Sequence, residues 1–313
     1  MRVLRSVSVV AALAAGIASA SCDKSTPSSA DAGPDATHTL LTDGPFPYDR
    51  VARVDLFVVS VSASLSPDTG SASGFTTLAT PNRRINVLAL QNGITDELGA
   101  VKLPTGAITS VRMVIDTDSS SITLKNGTKL TGTSNPGIHW QSSAGRPVLN
   151  ALITEQILVP HAGAVVVIDY DIGQAFIPPQ VLDPASKDSG FIFSPVLRAV
   201  DAARAGSIAG IVRAHGSTGT PVADASLRLY LGKPTNPENT WSTLATTKTD
   251  ANGAFKFSYV TRTAYWAGLP AHAGDTYIVA VDPPAGAGLG RTLMMNLAVT
   301  AGAETAAGTL ILP

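Results

Sequence analysis

From Gly44 onward the apolar residues recur at the two-residue spacing of strands rather than the three-to-four spacing of helices. Arg53 to Ser64 (RVDLFVVSVSAS) sets Val54, Leu56 and Val58 on one side and Phe57, Val59 and Val61 on the other. Apolar positions on both sides predict a strand buried on both faces. Further strands are predicted at 75–79, 85–90, 107–117, 121–125, 129–133, 155–159, 164–177 and 190–200. Between two of them, Asn126-Gly127 predicts a type I′ hairpin turn, because both residues tolerate positive φ. The stretch Leu149 to Leu158 carries Leu149, Leu152, Ile153 and Gln156 at near-helical spacing, which leaves strand and helix both open there.

A short joint of small residues, 202–206, precedes a second strand pattern at 207–213, 225–231, 241–248, 254–259, 275–282, 291–299 and 306–312. Short strands at this spacing predict two stacked antiparallel sheets. The fold class read from the pattern is all-β, with two β-sandwich-like domains in tandem at 44–201 and 207–313.

The first 43 residues read differently. Arg2 and Arg5 precede an apolar run from Val7 to Ala20 that is too short to span a bilayer, so 1–21 reads as an export signal peptide. Ala18-Ser19-Ala20 suits ordinary cleavage, which would leave a soluble secreted or periplasmic chain. Ala20-Ser21-Cys22 resembles the end of a lipobox, although Ser19 stands where an aliphatic residue is usual. Cys22 is the single cysteine of the chain, so it has no internal disulfide partner. Lipidation of Cys22 would remove an exposed thiol and anchor the chain to a bacterial membrane at the cell envelope. Residues 22–43, rich in Ser, Thr, Pro, Asp and Ala, are expected to form a disordered tether.

Composition narrows the function. Lys plus Arg number 22 against 23 Asp plus Glu, for a net charge of -1, and the basic residues are scattered; nucleic acid is not an expected partner. The chain lacks a G-x-S-x-G elbow, and its five histidines, His38, His139, His161, His215 and His272, show no metal-binding spacing. The expected function is non-enzymatic, a binding or structural module without a cofactor, with a polysaccharide or an envelope protein as the partner. An exported hydrolase would need His, Asp and Ser to converge in space.

Two stretches resemble known families. Gly206-Ser207-Ile208-Ala209-Gly210-Ile211-Val212, Pro221-Val222-Ala223-Asp224-Ala225, Thr249 to Phe255 (TDANGAF) and Asp275 to Val281 (DTYIVAV) resemble the carboxypeptidase regulatory-like, or transthyretin-like, family. That resemblance implies an accessory β-sandwich. Ala52 to Val58, Ile85 to Gly93, Leu103 to Arg112, Val167 to Asp171 and Phe193 to Arg198 resemble a bacterial domain of unknown function seen in exported lipoproteins. That second resemblance implies fold and location, and transfers no site.

Two groups of side chains suggest chemistry. Asp116-Thr117-Asp118 and Asp169-Tyr170-Asp171 each set two carboxylates on one face of a strand. Were the two strands neighbours, Asp116, Asp118, Asp169 and Asp171 would together suit a calcium ion; the plainer reading is aspartates ending strands on a solvated face. Asp250 and Asn252 read as a type I turn. Among the aromatic residues, Tyr265-Trp266 in the loop-like stretch 261–274 is the candidate carbohydrate platform, with core packing as the alternative.

Overall fold

The computed structural model describes residues 33–44, 50–66, 74–140, 145–177 and 190–313. Cys22 and the segment 1–21 lie outside them. The chain is all-β, as the pattern predicts. The first unit contains β1 (Thr37–Asp43), β2 (Val51–Ser64), β3 (Phe75–Ala79), β4 (Arg83–Asn86), β5 (Asp96–Val101), β6 (Gly106–Ile108), β7 (Ser110–Leu124) and β8 (Lys129–Leu130). It continues with β9 (Ile138–His139), β10 (Val148–Ile153), β11 (Ile157–Val159), β12 (Val165–Tyr170), β13 (Phe176–Ile177), β14 (Phe191–Phe193) and β15 (Leu197–Asp201).

Its main sheet runs β3-β2-β7-β10-β15-β12-β1-β5, with β4 added on β2 and β8 on β7. Pairing is antiparallel except at β1–β12 and β10–β15. One core fills this unit, from Leu41 through Val54, Leu56, Met113 and Ile115 to Ala199. The long β2 carries it: Val54, Leu56 and Val58 are fully buried, whereas Phe57 and Val59 of the other row are half-buried, so this stretch is buried on one face rather than both, and Val61 joins the buried row after a register shift between Val58 and Ser60.

Several expectations are corrected. Residues 37–43 are not part of a disordered tether: β1 lies inside the sheet between β12 and β5, with Thr37, Thr39 and Leu41 fully buried. Composition counts Thr as polar, but its branched β-carbon suits a strand. The predicted strands 107–117 and 121–125 are largely one, the 15-residue β7. The chain leaves the ladder at Asn86 and coils into a 3-10 segment, Val87–Gly93, where extension to residue 90 was expected. Leu149 to Leu158 contains no helix, because Leu149 and Ala151 pair with Met113 and Val111 across β7, and Leu152 is exposed. The hairpin at Asn126-Gly127 is not type I′: of the two residues only Gly127 takes positive φ (85°), while Asn126 Oδ1 accepts the Thr128 N–H at 3.0 Å.

The second unit contains β16 (Ala205–Ala214), β17 (Ser226–Gly232), β18 (Ser242–Lys248), β19 (Ala254–Thr261), β20 (Thr276–Asp282), β21 (Thr292–Leu297) and β22 (Glu304–Leu312). Sheets β19-β16-β22 and β18-β17-β20-β21 stack around Ile208, Val212, Leu227, Leu229, Phe255, Val279 and Leu310. The β16–β22 pair is parallel, so the first of these sheets is mixed rather than antiparallel. The turn at Asp250 forms as read: its carboxylate accepts the N–H groups of Asn252 (2.8 Å) and Ala254 (2.9 Å).

Candidate functional site

The two units meet along a polar seam with a cleft in it. One flank of the cleft is built by a bulge. Gly206 pairs with Val260 and Ile208 with Phe257, so Ser207 alone opposes both Ser258 and Tyr259. An extra residue on one strand bends it and re-aims its side chains. Tyr259 takes φ 53°, a left-handed conformation that is costly for an aromatic residue and recurs at functional sites. Gly206 permits the fit, since a Cβ there would stand 2.4 Å from Thr300 O.

The facing wall is the end of the 3-10 segment, where Asn92 (φ 60°) and Gly93 (φ 83°) both turn left-handed. Thr42 Oγ1 pins that segment to β1 by donating to Leu90 O (3.1 Å) and Ile94 O (2.9 Å). A Cβ on Gly93 would lie 2.5 Å from Ser258 Oγ, so only glycine lets the two walls approach this closely. Between them lies a cleft of about 370 Å³ lined by Asn92, Ser207, Lys256, Ser258, Tyr259 and Glu304. Ser258 Oγ is buried and has no hydrogen-bond partner among the described residues. Lys256 Nζ and Glu304 Oε2 pair at 2.8 Å.

Deeper in the seam a chamber of about 30 Å³ shares Asn92, Lys256 and Ser258 with the cleft. Its floor is set by register: Thr42 of β1 pairs with Asp169 of β12, which pairs in turn with Arg198 of β15. Asp169 and Arg198 form an ion pair there. Asp171 caps the helical turn Ile172–Ala175 by accepting Gln174 N (3.1 Å) and Nε2 (2.6 Å), and Thr246 Oγ1 of the second unit reaches it at 3.3 Å. Asp43 Oδ1 accepts Ile172 N–H at 3.1 Å, while Asp43 Oδ2 and Tyr170 OH are buried without partners among the described residues. Burial holds the Asp43 carboxyl well above the usual carboxylate range, and Asp169 and Asp171 push it further. Asp171 is raised for the same first reason, with the Gln174 bonds opposing.

A second polar cluster ties the units elsewhere on the seam. Glu155, almost fully buried, accepts from Arg204 (2.8 Å) and from Arg262 of the second unit (2.6 Å). Arg204 also approaches Asp201 at 3.8 Å, and Tyr265 OH donates to Thr154 O at 2.6 Å.

The structure separates the four aspartates that a calcium site would need together. Strands β10 and β15 stand between β7 and β12, so Asp116 and Asp118 lie apart from Asp169 and Asp171. Asp118 is exposed. Asp116 resists the effect of burial through the Ser119 N–H and Arg146, which hold it below the usual range. Among the described residues no group of three or more His, Cys, Asp or Glu side chains is placed to hold a metal ion.

The Tyr265-Trp266 pair is packed rather than presented. Trp266 is buried, donates from Nε1 to Tyr277 OH at 2.7 Å, and sits edge-on to His272. Its flat face is therefore not offered to a sugar, and Tyr265 spends its hydroxyl on the seam. The cleft residues Ser258 and Tyr259 escaped the sequence reading because a bulge is a relation between two strands. Asn92-Gly93 carried the usable signal, a turn dipeptide.

The family described as Domain of unknown function (DUF4382) matches residues 38–195, slightly more than half of the chain. The chain belongs to that family. A comparison with curated proteins finds no match. Among solved structures it is similar to a 9R-lipoxygenase from Cyanothece PCC8801 at 15% identity and TM-score 0.23, over 36% of this chain and 17% of the lipoxygenase. A Streptococcal ancillary pilin overlaps 89% of this chain and 62% of its own, at 12% identity and TM-score 0.22. The shaft pilin SpaA from Lactobacillus rhamnosus GG overlaps 88% and 97%, at 11% identity and TM-score 0.21. At scores this low none of the three speaks to what this chain does.

Proposed function

We propose that this chain is a non-enzymatic cell-envelope lipoprotein, anchored through Cys22, that presents the cleft between its two units as a binding site. The observation that carries the reading is the bulge at Ser258-Tyr259, which shapes one wall of a cleft and leaves a buried hydroxyl without a partner. Fixed walls suit binding, because little order has to be imposed when a ligand arrives. The clamps Glu155–Arg262 and Tyr265–Thr154 cross the same seam and hold those walls in register.

The second unit we assign to the carboxypeptidase regulatory-like class. Support comes from its strands, β16, β19 and β20, which coincide with the residues carrying that resemblance. The anchor reading rests on the leader and on the placement of the lone Cys22. Export labelling tests it: cells fed labelled palmitate should yield a labelled chain, Cys22→Ser should abolish the label, and globomycin should accumulate the precursor. An unlabelled product beginning at Ser21 would replace the anchor with ordinary secretion.

A further inference from the structure

The binding reading leaves the ligand open, and the lining of the cleft narrows it. Its charged side chains are Lys256 and Glu304, and they neutralise each other at 2.8 Å. A phosphate or a cation would have to compete with that pair. The lining holds no Leu, Ile, Val or Phe, so a purely apolar ligand gains little from entering. What remains is one half-buried phenol ring on Tyr259, the Asn92 amide, the Ser207 and Ser258 hydroxyls, the small methyls of Ala202, Ala205 and Ala303, and the glycine walls of Gly93, Gly206 and Gly302.

That set matches a ligand with a flat apolar face and hydroxyls around its rim. A ring face stacks on a rigid aromatic residue, and the Asn amide and Ser hydroxyls can each donate and accept toward sugar hydroxyls. A cleft of about 370 Å³ lies toward the small end of ligand sites, which run from roughly 300 to 1,000 Å³. The bulge explains why the ring is there, since it turns Tyr259 into a left-handed conformation that regular pairing would not require.

Resting on the binding-module reading, we propose that the cleft takes a pyranose unit of a neutral glycan, with Tyr259 as its stacking platform and Asn92, Ser207 and Ser258 as its hydrogen-bonding rim. This moves the aromatic contact from Trp266, which is sealed in the core, to Tyr259. The hydroxyl of Ser258, otherwise orphaned, gains a partner when the ligand binds.

The test uses the whole exported chain carrying Cys22→Ser, in soluble form, on an array of neutral mono- to tetrasaccharides printed beside sialylated and sulfated ones. Binding to neutral glycans is expected. Tyr259→Asn, which keeps a side chain tolerant of positive φ, should weaken the best neutral hit about tenfold. Ser258→Ala should weaken it several-fold, and Lys129→Ala, exposed on the short strand β8 and outside the cleft lining, should leave it unchanged, all with thermal midpoints near that of the parent. An array blank for neutral glycans, binding confined to anionic ones, or full affinity in both Tyr259→Asn and Ser258→Ala would overturn the proposal. A photo-crosslinker placed at position 207 in intact envelopes separates the two readings. Capture of an envelope protein beside a blank array removes the glycan and keeps the binding module, whereas silence in both removes both.

Discussion

The seam is held by two polar clusters that solve the same problem with opposite charge balance. At one, Glu155 and Asp201 face Arg204 and Arg262, two carboxylates with two guanidiniums. At the other, Asp169 and Asp171 act on the guanidinium of Arg198, and Asp43 lies against those two carboxyls. A buried charge is tolerated when it is paired and costly when it is not. Burial raises Asp201 in the balanced cluster, where the Ala203 N–H and the Arg204 charge oppose it; burial raises Asp43 and Asp171 in the acidic one, where Asp169 adds to the rise. Asp43 is raised the more strongly, and Asp169, which has the ion pair, is the member Arg198 serves directly. Both clusters thus hold a raised carboxyl, and the larger rise falls on Asp43 of the acidic one.

The largest effect should come from taking away the one cation of the acidic cluster. Arg198→Met leaves Asp169 buried and unpaired beside two more carboxyls, and should cost about 3–5 kcal/mol in urea unfolding at pH 7. Adding Asp169→Leu to it should return most of that loss, because the uncompensated charge then goes too. A single variant within about 1.4 kcal/mol of the parent, one pKa unit's worth, would mean that the cluster does not hold the fold. Next in size is Glu155→Gln at the balanced cluster. Arg204 and Arg262 are each about a third exposed, so water screens them once Glu155 is gone. The expected drop in Tm is about 4 °C, smaller than for Arg198→Met. Equal drops would erase the contrast between the clusters.

The parts of this arrangement were unequally legible. Alternation along Leu227 to Leu231 and the unbroken apolar run Tyr277 to Val281 expose β17 and β20 directly, and Asp250 announces its turn by side-chain chemistry alone. Local signals of this kind belong to a few neighbouring residues. The strand Thr37–Asp43 was hidden because its burial depends on β12 and β5, which come more than fifty residues later. The two Asp-x-Asp pairs were visible, yet Asp171 falls just past the end of β12 as a helix cap, and whether the pairs meet depends on the order of strands in the sheet, where β10 and β15 intervene. Trp266 and Tyr259 show the same limit: nothing near either residue in sequence says which ring Tyr277 will cover and which a bulge will turn toward a cleft.

The pH dependence sharpens the contrast further. Asp43 has a folded-state value above its unfolded one, near 3.9, so its contribution to stability is full below that pH and is lost as pH climbs through the raised value. One extra proton in the folded state gives a slope of at most about 1.4 kcal/mol per pH unit. Burial sets it first, with Asp169 and Asp171 adding to the rise and the Ile172 and Gly44 N–H groups opposing it; Tyr170, Arg198, Lys256 and Tyr259 are the other titratable groups of the same region. Asp43→Asn keeps the Ile172 N–H bond through its carbonyl and removes the ionisation. Its stability should therefore fall less steeply than the parent's above pH 4, as urea titrations at half-unit steps would show, and parallel curves would refute the assignment. Asp171 should keep a residual slope in that variant, since its own value is raised.

The smallest effect belongs to Thr246→Val. Its hydroxyl reaches Asp171 at 3.3 Å and 3.4 Å, lengths at which a hydrogen bond is weak, and Asp171 keeps both Gln174 contacts without it. Valine has nearly the same shape, so packing at the seam is retained. A loss of about 0.5 kcal/mol is expected. A larger loss would show that the acidic cluster grips the second unit as firmly as Glu155 does, and the charge contrast would then have no counterpart in how the two units are joined. The measurement that decides it is a double-mutant cycle with Asp171→Asn, in which a coupling near zero leaves Glu155 and Tyr265 as the contacts that fasten the seam.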